Sequence, residues 1–190
     1  IEIQATRLSF IGESGWELTC RKEDVHSLYK TFADAGAKPA GLYAQSSMRI
    51  EKKFMAIGHD LDSDITPLEA GLEFAVDFNT DFIGRDALLS LKKKPIQSSL
   101  VLIVLNNINA VPLGNEPVSV DGNIVGKTTS AAFGYRVGKP VAIALLKRYG
   151  TSDFEGLEVE INIAGEMFSG KVSTAPAFDP EGLLMRAVSK

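Results

Sequence analysis

The chain has 190 residues, enough for one large domain or two small ones. Hydrophobic residues make up 45% and charged residues 23%, the balance of a folded globular protein rather than a disordered one. The net charge is -4 and the densest basic run is Lys92-Lys93-Lys94, which argues against a nucleic-acid backbone as partner; no apolar stretch reaches transmembrane length, so no membrane partner is expected. A single cysteine, Cys20, excludes an intrachain disulfide and is expected to be buried as a small hydrophobe closing a strand.

In chain order, residues 2–11 alternate apolar and polar side chains and predict a strand. Gly12-Glu13-Ser14-Gly15 reads as a turn, and Trp16 to Cys20 as the returning strand of a hairpin. From Lys22 to Ala35, the spacing of Val25, Leu28, Tyr29 and Phe32 marks one face of a helix that Gly36 ends. A second helix is predicted from Leu42 to Phe54. Asp60, Asp62 and Asp64 are expected in a solvated loop. Thr66-Pro67-Leu68-Glu69 has the form of a helix cap, Phe74 to Phe78 of a short strand, and Gly84 to Leu89 of a helix start that runs to the lysines.

Beyond Pro95 the pattern is almost entirely strand. Ser98 to Leu105 and Lys139 to Leu146 are apolar runs suited to buried strands. Pro117 to Val125 forms a hairpin across Asp121-Gly122, and Leu157 to Val172 another across Ala164-Gly165. The fold class predicted is α+β: a mixed strand and helix half over residues 1–95, then an all-β, barrel-like domain over 96–190.

The residues alone offer little chemistry. There is no Walker-type glycine loop. His26 and His59 are isolated, and the aspartates of 60–64 lack the glycine and distal glutamate of a calcium loop, so no metal site is expected. Ser14 lacks the strand-to-helix elbow of a nucleophile. No catalytic residue can be named from the pattern.

Three stretches in order carry a resemblance. The first is Arg7-Leu8-Ser9-Phe10-Ile11-Gly12-Glu13-Ser14-Gly15-Trp16-Glu17, similar to the pattern Arg-x-Ser-Tyr-x-Gly-Glu-x-Gly-x-Glu. The second begins Gly41-Leu42-Tyr43-Ala44-Gln45-Ser46-Ser47-Met48-Arg49-Ile50-Glu51-Lys52 and continues through Gly58-His59-Asp60-Leu61 and Thr66-Pro67-Leu68-Glu69-Ala70-Gly71-Leu72. It is similar to Ser-Leu-Arg-x-Glu-Lys-Gly, then Gly-x-Asp-Leu, then Thr-Pro-x-Glu-Ala-Gly-Leu. The third is Phe82-Ile83-Gly84-Arg85-Asp86-Ala87-Leu88, with weaker echoes at Gly126-Lys127-Thr128-Thr129-Ser130, Ile143-Ala144-Leu145 and Phe178-Asp179-Pro180-Glu181. Together they resemble the C-terminal portion of the glycine-cleavage T-protein (aminomethyltransferase) family, in particular the folate-binding region of dimethylglycine and sarcosine dehydrogenases.

That resemblance implies a tetrahydrofolate site and transfer of a one-carbon unit to it from a methylated amine or aminomethyl donor. By matched position, Glu17 would accept hydrogen bonds from the pterin, although alternation alone turns it toward solvent. Phe10 replaces a family tyrosine, keeping an apolar wall without the hydroxyl. Gln45 replaces a family arginine and brings no charge. Tyr43 could stack on a flat ring or pack the helix. Arg49 and Glu51 are assigned to structural ion pairs or capping. The family's catalytic aspartate belongs to a region upstream of the hairpin, and no flavin site is recognised in this chain. The residues are therefore expected to be part of a larger protein, with the N-terminal portion of that protein as partner and self-association through uncovered faces at Phe10, Trp16 and Tyr43. The alternative is a non-catalytic fragment or paralogue serving as a ligand- or partner-binding module. The start at Ile1, without Met or a signal sequence, leads to an intracellular expectation: cytoplasmic, or the mitochondrial matrix in a eukaryote.

Overall fold

The computed structural model describes residues 1–150 and 153–186. Strands β1 (Ile3–Arg7) and β2 (Trp16–Cys20) form a two-stranded antiparallel ribbon, with Ile3 opposite Cys20 and Arg7 opposite Trp16. β1 stops at Arg7 rather than continuing to residue 11, because the next residues curl onto the end of the second helix. At Gly12 (φ +73) a Cβ would stand 2.4 Å from the Lys52 Cγ, so the approach requires a residue without one. Cys20 is half-buried rather than fully buried, since a two-stranded ribbon has no second layer to cover it.

Helix α1 (Val25–Asp34) has the amphipathic face its spacing predicted, starting three residues later than Lys22. Among the described residues nothing covers that face: no residue of the helix is buried, and Val25, Tyr29 and Phe32 are exposed. Helix α2 (Leu42–Glu51) ends in a left-handed cap, with the Lys53 N–H donating to the Ile50 carbonyl and the Phe54 N–H to the Arg49 carbonyl, both at 2.8 Å. The expected cap at Thr66 forms. The Thr66 N–H donates to Glu69 Oε2 (3.0 Å), and the Glu69 N–H donates to Thr66 Oγ1 (3.3 Å). It closes a single turn, however, because Gly71 (φ 70) leaves the helical region at once. The strand expected at Phe74 to Phe78 is absent. A 3-10 turn occupies Glu73–Ala75, and no strand edge lies beside it to complete a ladder. Helix α3 (Arg85–Lys92) follows.

The remaining strands are β3 (Ser98–Leu105), β4 (Pro117–Val120), β5 (Asn123–Gly134), β6 (Lys139–Lys147), β7 (Glu158–Ile163) and β8 (Glu166–Ser173). They form a closed antiparallel barrel in the order β3-β6-β5-β4-β7-β8. Both predicted hairpin turns have positive φ at their two central residues, 49 and 76 at Asp121-Gly122 and 52 and 91 at Ala164-Gly165, which matches the twist of the flanking strands. A short helix, α4 (Leu183–Arg186), follows the barrel.

The apolar run of β3 is explained by burial on both faces. Val101, Ile103 and Leu105 point into the barrel with Val118, Val125, Leu146 and Ile161. Leu100 and Leu102 point out and pack with Val141, Ile143, Ile50 and Ala70, so the N-terminal half shares a core with the outer wall of the barrel. At Gly126, which pairs with both Val118 and Leu146, a Cβ would lie 2.0 Å from the Leu145 carbonyl oxygen; the wall can close there only around glycine.

The ribbon and α1 leave Trp16 63% exposed and Tyr29 59% exposed, and Tyr43 at the start of α2 is 95% exposed. Apolar surface of this kind favours association. On size-exclusion chromatography the isolated chain is expected to elute ahead of its 20.5 kDa position by an amount that grows with loading. A monomer peak independent of concentration would contradict this.

Candidate functional site

The stretch at the end of α2 builds a buried polar hub. Arg49 Nη1 donates to Asp60 Oδ2 (2.7 Å) and to the Phe54 carbonyl (3.1 Å), while Nη2 donates to Ser130 Oγ (2.7 Å). The Arg49 and Asp60 side chains are 6% and 0% exposed. Asp60, expected in a solvated loop, is thus at the centre of the fold. Its carboxylate also accepts from the Ala56 N–H (2.9 Å) and the Thr129 hydroxyl. Thr129 is the extra residue of a bulge in β5, between Thr128, paired with Ala144, and Ser130, paired with Ile143. The bulge turns the hydroxyls of Thr129 and Ser130 toward the ion pair.

Glu51 performs the capping assigned to it. Its buried Oε1 accepts the N–H groups of Arg136 (2.7 Å) and Val137 (3.0 Å), holding the β5–β6 turn, and its carbonyl accepts the N–H groups of Ala177 and Phe178. Lys52 pairs with Asp179, their side chains 3% and 6% exposed. Two cations lie over the Phe178 ring, the Lys52 ammonium at 5.3 Å and the Arg136 guanidinium at 4.9 Å from its centroid. Arg136 in turn pairs with Glu13, which fastens the hairpin loop to the barrel.

A groove of about 520 Å³ opens beside this hub, between the hairpin loop, the end of α2 and residues 54–74. Phe10 lines it, with Phe54, Leu72 and Phe74. Glu17, Tyr43 and Gln45 stand outside that lining. Glu17 is exposed on β2 opposite Thr6, on the polar face of the ribbon, and its carboxylate accepts no hydrogen bond among the described residues. Tyr43 and Gln45 occupy the first turn of α2, Gln45 half-buried.

Two residues of the groove were not singled out by sequence. Ser9 Oγ is buried without a hydrogen-bond partner. Lys53 has φ 54, a left-handed conformation that costs a residue with a Cβ about 1 kcal/mol. The signal for Lys53 lay in the pattern itself: it stands where Ser-Leu-Arg-x-Glu-Lys-Gly has its glycine. Burial pulls the Lys53 amine below its ordinary 10.5, against the opposing pull of the Glu155 charge.

The comparisons with known proteins agree with this architecture. The GCVT N-terminal domain model matches residues 1–80, and the glycine cleavage T-protein C-terminal barrel domain model matches residues 99–179. Human mitochondrial dimethylglycine dehydrogenase is 36% identical over 182 residues, covering 93% of this chain and 21% of its own length. The aminomethyltransferase of Symbiobacterium thermophilum is 35% identical over 179 residues, covering 91% of this chain and 47% of its own. The crystal structure of glycine cleavage system aminomethyltransferase T from Bartonella henselae superposes with a TM-score of 0.83 at 26% identity, over 93% of this chain and 50% of that one. The chain belongs to the glycine-cleavage T-protein (aminomethyltransferase) family. It spans about a fifth of the dehydrogenase it matches and about half of the aminomethyltransferases.

Removing one partner of a buried ion pair strands the other charge. Arg49→Met is expected to lower stability to urea denaturation by roughly 3–5 kcal/mol, and Arg49→Met/Asp60→Leu to recover part of that loss. A single variant as stable as the parent would show the pair to be dispensable. A second expectation concerns acid. The hydrogen bond from Lys52, helped by the N–H groups of Leu184 and Leu183, holds the Asp179 carboxyl below its ordinary 3.8. Between the folded value and 3.8 the unfolded chain binds more protons, so this contribution is complete above 3.8 and is lost as pH falls through the folded value. Asp179→Asn should therefore be less stable than the parent at pH 7, with the gap narrowing below pH 3.8. A gap constant with pH would contradict the assignment.

Proposed function

We propose that this chain is the tetrahydrofolate-binding portion of an aminomethyltransferase-like protein of the dimethylglycine dehydrogenase type, acting in transfer of a one-carbon unit from a methylated amine or aminomethyl donor. The observation that carries the reading is the state of Glu17. The other carboxylates in the first two family-like stretches are engaged: Glu13 with Arg136, Glu51 with the N–H groups of residues 136 and 137, Asp60 with Arg49, and Glu69 with Thr66. Glu17 alone in that set is exposed and uncommitted, on a ribbon whose loop is fastened by Glu13. A carboxylate held this way can accept two parallel N–H bonds from the aminopyrimidine edge of a pterin, and charge-assisted bonds of that geometry are the strong kind.

Glu17 would read the pterin edge, Phe10 would supply an apolar wall, Tyr43 a stacking face, and Gln45 an amide able to bond a carbonyl. Tetrahydrofolate, when bound, supplies the nitrogens that accept the one-carbon unit; the chain's own part is to bind and orient it. The uncovered faces of α1 and of the ribbon suit packing against the remainder of a larger protein, as the relatives are at least as long again beyond the matched part. Calorimetric titration with 5-formyltetrahydrofolate is expected to show saturable binding that Glu17→Gln weakens by about tenfold. Absence of heat at millimolar ligand, or an unchanged affinity in the variant, would overturn the assignment to this chain and to Glu17 respectively.

A further inference from the structure

We infer that the groove beside α2 is a binding site for a small carboxylate with an aromatic body, its charged end held by Lys53 and Ser9. The walls supply the apolar half of the argument. Phe10, Phe54, Met55, Leu61, Leu72 and Phe74 line a space of about 520 Å³, the size of a small-molecule pocket. Set in those walls are two polar groups with unmet capacity. Ser9 Oγ is buried and bonds to nothing, a state folded proteins generally avoid. The Lys53 ammonium has three donors and spends one on the Thr174 carbonyl, at 2.9 Å.

The charge there also lacks a direct ion-pair partner among the described residues, the Glu155 charge acting on it only at longer range. Lys52, the neighbouring cation of the same groove, is already neutralised by Asp179. Glu155 acts on Lys53 only from a distance, its own oxygen taken by the N–H and hydroxyl of Thr174, and no ion pair closes to Lys53 among the described residues. Desolvation lowers the Lys53 pKa, as expected for an ammonium short of a counter-charge. Finally, Lys53 is held at φ 54, where glycine would be free of strain. A side chain kept at a strained position, partly desolvated and facing an apolar groove, is the pattern of a ligand contact rather than of a structural residue. One carboxylate would neutralise the ammonium and accept a hydrogen bond from the Ser9 hydroxyl, and its aromatic body would cover the walls. A phosphate dianion would leave surplus charge against apolar surface. The inference stands apart from the folate reading: Phe10 is common to both, but Lys53 and Ser9 belong to neither the matched folate residues nor the test made of them.

The experiment titrates the whole chain with 2-naphthoate and with neutral 2-naphthamide, followed by the Met55 methyl resonance and repeated with Lys53→Gly and Ser9→Ala. The expected result is a saturable Met55 shift with 2-naphthoate, on the order of tenfold tighter than with the amide. Lys53→Gly should abolish that preference while its melting temperature stays equal or rises, a combination that loss of structure would not give. Ser9→Ala should weaken naphthoate by about threefold, with the amide unaffected. Equal affinity for acid and amide, or a preference that survives in Lys53→Gly, would overturn the anion contact and leave the groove as a seat for an apolar segment of another chain. No Met55 shift with either compound at millimolar concentration would overturn the site itself.

Discussion

A guanidinium cannot shed its charge in a protein, so an arginine that is buried must have its donors met or the fold pays the full desolvation penalty. Arg49 meets this condition only by drawing together three separate parts of the chain: the turn after its own helix at Phe54, the loop at Asp60, and the barrel strand at Ser130. Asp60 is subject to the same demand with the opposite sign, and it recruits the Ala56 N–H and the Thr129 hydroxyl. The bulge at Thr129 is what lets two successive residues of one strand face the same ion pair. With the end of α2 fixed in this way, the next residues have set directions. Glu51 holds the β5–β6 turn, Lys52 reaches Asp179, and Lys53 is left at the groove.

The barrel gives this hub a rigid base. Its strands are buried on the inner face by one another, and β3 and β6 are buried on the outer face by Ile50 and Ala70. The result is an asymmetric molecule. The side toward the barrel is densely satisfied, with most polar groups of the family-like stretches committed to one another. The ribbon, α1 and the start of α2 carry uncovered apolar side chains and an uncommitted carboxylate at Glu17. Function placed on the open side, with rigidity supplied by the closed side, is how loops and edges borrow precision from a scaffold.

Much of the architecture was legible in the order of residues. Ser98–Leu105 was read as a strand with its observed limits, and both hairpin turns were read from Asp121-Gly122 and Ala164-Gly165, because a two-residue turn with positive φ has few sequences open to it. The class of fold and the family followed from local pattern and from motifs in order. The departures have a common origin. Phe74 to Phe78 reads like a strand but has no neighbour to pair with; Thr66 to Glu69 forms its cap and then turns away at Gly71; residues 8–11 leave the ribbon as the chain turns to bring Gly12 against Lys52. In each, a local preference yielded to the availability of a partner.

The sequence by itself determined where the strands and hairpin turns of the second half fall, that this half forms β structure, which family the chain belongs to, and that Arg49 and Glu51 serve the framework. Only the tertiary structure decided that Asp60 is buried rather than solvated, that Ser9 and Lys53 share a groove with Phe10, and that Glu17 is left uncommitted while its neighbours are engaged. The physical reason is that backbone preference and hydrophobic period act over a few residues, whereas the partner of a charge is chosen across the fold: Asp60 is 11 residues from Arg49 but 69 from Thr129, and Glu51 is 85 from the N–H it holds at Arg136.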